Sequence, residues 1–195
     1  MRSLEHYSKL AAPTAPPWWI GLVPWVAFGL MHEWCAPLAA PLALTVFILL
    51  NWRTRWTWPP LDFGMAAYFL IYSVISLTGL DTRLAPRLLF ALCPAILAMT
   101  AALSVALGQP FTLAYARRYA PEHIRIRPAF YQANQILSLL WAGGFATAAI
   151  ALVTWSAAWN PARAAIILFS VMGATVVASV VLGRWLHVRV SRSAI

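Results

Sequence analysis

Residues 88–107 read LLFALCPAILAMTAALSVAL, twenty positions without a charged side chain, and residues 108–129 then read GQPFTLAYARRYAPEHIRIRPA, with four arginines. Twenty apolar residues wound as a helix span about 30 Å, the thickness of a bilayer's hydrocarbon core. The basic stretch that follows marks the aqueous side on which that helix ends.

The same alternation runs outward in both directions. Five further apolar stretches occupy Trp18–Met31, Ala36–Trp52, Phe63–Leu80, Phe130–Trp155 and Ala164–Leu186. Charged residues are 10% of the chain and apolar ones 62%, against roughly 25% and 45–50% in soluble domains. In hydrocarbon every backbone donor and acceptor must be paired internally, so only helices or closed barrels span. The runs are continuous rather than alternating ten-residue segments, which selects helices. The reading is an all-α, polytopic membrane bundle of about six segments over 18–187, with short tails at 1–17 and 188–195.

Charge sets the orientation. Arg2, Lys9, Arg53, Arg55, Arg117, Arg118, Arg125, Arg127, Arg184, Arg189 and Arg192 fall in alternate gaps, while the opposite side holds only Arg83, Arg87 and Arg163. That bias is the positive-inside pattern and places both termini in the cytoplasm. It also accounts for the net charge of +9: the partner it implies is the anionic headgroup layer of the cytoplasmic leaflet, not nucleic acid. Tryptophans such as Trp34, Trp52, Trp155 and Trp185 stand at segment ends, as an aromatic belt requires; Trp25 is read with them.

The first segment is short and contains Pro24, and the chain is expected to turn at His32–Glu33–Trp34–Cys35. Small residues recur every four positions at Ala98, Ala102 and Ala106, at Ala142 and Ala146, at Gly144 and Ala148, and at Ser170, Ala174 and Ala178. Each set lies on one helical stripe and invites close helix packing. Within Gly108–Ala129, a helix is expected to start near Pro110 and to align Phe111, Tyr115 and Tyr119 on one face. It reads as an interfacial helix, its apolar stripe toward the bilayer or the bundle and its arginines toward phosphates.

Catalytic and metal signatures are missing. His32–Glu33 has no second histidine one turn on, and Cys35 and Cys93 read as free thiols. The expectation is no metal, no cofactor and no enzyme activity. Deep intramembrane charges, the usual mark of ion pathways, are missing too. The one candidate ligand or partner site is the mouth formed by Gln109, Tyr115, Arg117, Arg118, Asn134 and Gln135. Such a mouth would suit a small transporter or lipid-handling protein. A membrane-surface connector is the plainer alternative.

The layout over Val23–Val190 resembles the intracellular septation protein A family of small bacterial inner-membrane proteins. The resemblance rests on Val23–Pro24–Trp25, on a second span ending Leu49–Leu50–Asn51–Trp52–Arg53, on Gly108–Gln109–Pro110–Phe111 after the fourth span, and on Asn134 followed by Trp141–Ala142 in the fifth. The chain departs from that pattern in having Gln-Pro-Phe-Thr where Lys-Pro is common. The resemblance implies a bacterial inner-membrane location and a non-catalytic role in envelope maintenance or division, through contacts with other membrane proteins.

Overall fold

The computed structural model describes residues 23–52, 59–80, 86–154 and 161–192. These form seven helices: α1 (Val23–Trp52), α2 (Pro60–Leu77), α3 (Pro86–Ala106), α4 (Phe111–Tyr119), α5 (Glu122–Arg125), α6 (Pro128–Thr154) and α7 (Pro161–Arg192). Among the described residues there is no strand. Five stretches are long and apolar enough to cross a membrane: Trp34–Trp52, Pro60–Leu77, Leu88–Ala106, Pro128–Thr154 and Ala162–Leu186. Val23–His32 is a shorter apolar helix before them. The protein is an all-α membrane bundle.

Local chemistry sets the helix limits. Proline opens α2 and α6 at Pro60 and Pro128, where its missing N–H is lost to no bond and its fixed φ suits the first turn. The end of α3 is a Schellman motif: Gly108 N–H donates to Val105 O at 3.0 Å and Gln109 N–H to Ser104 O at 2.8 Å. That closure requires the left-handed backbone Gly108 supplies, with φ 72°.

Within α1 the helix breaks at Cys35 (φ −154°, ψ 82°), inside the expected turn. Trp25 and Phe28 before the break, and Ala40 and Ala43 after it, pack into one cluster with Tyr68, Phe69, Tyr72, Leu89 and Ile96. A straight helix would hold Trp25 and Ala43 about 27 Å apart; the break lets both halves address the same residues of α2. Trp25 is therefore half-buried against the core rather than standing free in a belt, its ring 5.0 Å from that of Phe69. Trp34, Trp52 and Trp185 are exposed at or next to the ends of the apolar spans, as the belt reading has them.

The helices pack in the order α1–α2–α3–α6–α7, with α4 laid against α6 and the end of α3. At one end of the bundle Ala91, Leu152 and Ala164 close α3, α6 and α7 together; at the other, Ala101, Phe111 and Ala142 join α3, α4 and α6. Two glycines make the closest crossings. A Cβ on Gly64 would meet Thr100, and one on Gly144 would collide with Thr175. The Gly144–Ala148 stripe thus packs as expected, whereas Ala102 and Ala106 face outward. The packed face of α3 is instead the one carrying Ile96, Leu97, Ala101 and Ser104.

α7 continues to Arg192, beyond the expected span end at Leu186. The expected tail at 1–17, the start of the first segment and the last three residues lie outside the described residues.

Candidate functional site

α4 begins badly on its own account. Its N-cap is Pro110, which has no side-chain acceptor, so the first N–H groups of the helix need partners from elsewhere. Two spans supply them. Phe111 N–H donates to Ser104 Oγ of α3 at 3.1 Å, and Thr112 N–H to Ser138 Oγ of α6 at 3.3 Å. Both serines are buried. They cap α4 in trans, which ties a loop helix to two membrane spans at once.

The hydrogens can be assigned around this junction. Thr112 Oγ1 donates to the backbone carbonyl of Asn134 at 2.8 Å. Its single proton is then spent, so Ser138 Oγ must donate across the 2.9 Å to Thr112 Oγ1. Ser104 Oγ donates to Ala101 O at 2.7 Å. Nearby, Tyr131 donates its hydroxyl to Gly108 O at 3.0 Å, holding the Schellman turn. Tyr115 donates to Asp62 Oδ1 at 3.4 Å, linking α4 to the start of α2.

The apolar face of α4 enters the bundle. Phe111 and Leu113 are buried, and the Phe111 and Tyr115 rings meet edge-on at 6.4 Å. Arg117 is exposed. The side chains of Arg118 and Tyr119 lie outside what the structure describes. Phe111 and Tyr115 of the expected aromatic stripe are thus used for docking in the bundle, whereas its third member, Tyr119, lies outside the described side chains.

Of the six residues singled out from sequence, the five with described side chains separate into different environments. Asn134 is 3% exposed, and its side-chain amide donates to Phe130 O on its own helix at 2.8 Å. Gln135 reaches the Tyr131 hydroxyl at 3.4 Å. Tyr115 is half-buried against Asp62, while Gln109 and Arg117 are exposed. The polar groups that do converge are Ser104, Thr112 and Ser138, none of which the sequence reading named. The signal was present in Pro110: a helix opening on a proline cap must borrow its first acceptors.

A second feature lies away from this junction. A groove of about 610 Å³ runs between α6 and α7 at mid-span, lined mainly by Gly143, Gly144, Thr147, Ala174, Thr175 and Ala178. Its two hydroxyls are turned inward: Thr147 donates to Gly143 O and Thr175 to Val171 O, each at 2.8 Å. The groove therefore presents an apolar surface. Among the described residues no group of three or more His, Cys, Asp or Glu could hold a metal ion.

The chain matches no family model, no curated protein and no solved structure.

Proposed function

We propose that this chain is a non-enzymatic multi-pass protein of the bacterial inner membrane, with both termini cytoplasmic. It serves envelope maintenance or division by lateral contact with other membrane proteins. The observation that carries the reading is how the polar side chains are spent. Thr45, Ser73, Thr100, Asn134, Thr147, Thr154, Thr175 and Ser179 all donate to the carbonyl four residues back on their own helix. Ser104, Thr112 and Ser138 are consumed in docking α4. Side chains engaged in this way support packing more readily than passage of a polar substrate.

The groove between α6 and α7 adds support, since small residues on adjoining spans let a further helix approach closely. Eleven basic residues in alternate gaps support the orientation. The resemblance to septation protein A-like proteins supports the envelope role. The transporter reading has less behind it, because Gln109 and Arg117 face outward while the buried Asn134 amide donates to the Phe130 carbonyl of its own helix.

A photo-crosslinking amino acid placed at Gly143 or Ala178 in living cells tests the reading. Adducts with other membrane proteins are expected from the groove. Adducts with lipid alone, from the groove and from the exposed face of α7 at Phe169 and Val177, would refute it.

A further inference from the structure

In a chain whose intramembrane hydroxyls mostly return to their own backbone, Ser76 behaves differently. It is 5% exposed, and its Oγ has no hydrogen-bond partner. Ser73, three residues earlier on α2, donates to Phe69 O at 2.6 Å; the Ser76 hydroxyl makes no such bond to the carbonyl four residues back. One other buried side-chain atom among the described residues is unpartnered, Nδ1 of His32.

Ring contacts earlier on the two helices set their register. Trp25 stacks on Tyr68 at 5.5 Å, and Phe28 meets Tyr72 edge-on at 5.4 Å. Contacts advance in the same direction along both helices, so the first half of α1 and α2 run parallel here. One more turn along each leads to His32 and Ser76. The His32 ring stacks on that of Phe28 at 5.5 Å, one turn beyond a ring that meets α2.

We infer that His32 and Ser76 form a binding site for one buried water, which bridges the first segment to α2 near the break at Cys35. Two orphaned polar atoms at the same level of an apolar contact need a guest that both donates and accepts, and water is the smallest that does. With the ring proton on Nε2, the water donates to Nδ1 and accepts from the Ser76 hydroxyl; in the other tautomer the order reverses. Either way both atoms are satisfied. The bridge is a polar anchor between the first half of α1 and α2.

The test uses the full chain in lipid nanodiscs. Ser76→Ala and His32→Phe are each expected to lower Tm by about 2–4 °C, because each leaves the water and its remaining partner short of a bond. The double variant should lie no lower than the worse single one. Magnetisation transfer from water to the labelled His32 ring is expected in the parent chain and lost in Ser76→Ala. Should His32→Phe not fold, Ser76→Ala with the ring measurement decides alone. A Tm unchanged or raised in Ser76→Ala overturns the inference, since removing a lone unsatisfied hydroxyl relieves a penalty. Thermal coupling without transfer from water also overturns it, in favour of a direct bond between the two side chains.

Discussion

The hydroxyls of Thr112 and Ser138 lie 2.9 Å apart across 26 positions of chain, and Ser138 also accepts the Thr112 N–H at 3.3 Å. One serine on a membrane span thereby caps a loop helix and orients its threonine. Replacing Ser138 with Ala leaves the Thr112 N–H and Oγ1 without that partner, a cost of about 1–3 kcal/mol. The loss should appear as faster amide exchange and easier proteolysis around α4. Ser138→Ala and Thr112→Val together should cost less than the sum of the two, by about 0.5–3 kcal/mol. Full additivity would mean the two side chains act separately.

Neighbouring glycines on α6 should respond in opposite directions. A Cβ on Gly144 would collide with Thr175, whereas one on Gly143 meets nothing within 4 Å. Gly144→Ala should therefore separate α6 from α7 and lower Tm, and Thr175→Gly in the same chain should recover much of the loss. Gly143→Ala should be neutral or stabilising by up to about 1 kcal/mol, the helix-propensity gain. Equal effects at both positions would show that the helices do not cross at Gly144.

Gly108 has φ 72°. An alanine there pays for the left-handed backbone whatever space surrounds it, a destabilisation of about 1 kcal/mol. The nearest neighbour of an added Cβ is the Tyr131 hydroxyl at 3.6 Å, an ordinary contact. Gly108→Asn should accordingly restore part of the loss, since asparagine tolerates this region. Chemical denaturation of the three variants checks the order Gly, Asn, Ala.

Arg117 is exposed, so its charge should act on orientation and not on folding. Each arginine near an anionic surface contributes about 1 kcal/mol. Arg117→Gln with Arg118→Gln should weaken the orientation bias slightly and leave Tm and crosslinking partners unchanged. A cytoplasm-active reporter fused after Ile195 should be active in the parent chain and in the variant. Periplasmic activity in the parent would overturn the orientation, and loss of partners in a correctly inserted variant would make the α4 loop a site.

Class and span positions were legible along the chain because bilayer insertion is a one-dimensional problem: a run such as Leu88–Leu107 either meets the hydrocarbon thickness or does not. The observed span Leu88–Ala106 differs by one residue. The turn near Cys35 and the helix after Pro110 were legible for a similar local reason, since proline, glycine and polarity act within a few residues. What only the tertiary structure decided was which faces meet. Alanine recurs on several stripes of α3, and period alone gives no reason for Ala101 to be buried and Ala102 exposed. In lipid both faces of a span are apolar, so hydrophobic patterning cannot separate the packed side from the lipid side. The trans caps from Ser104 and Ser138 and the crossing at Gly144 and Thr175 depend on side chains meeting across separate helices. That information exists only once the helices are placed against one another.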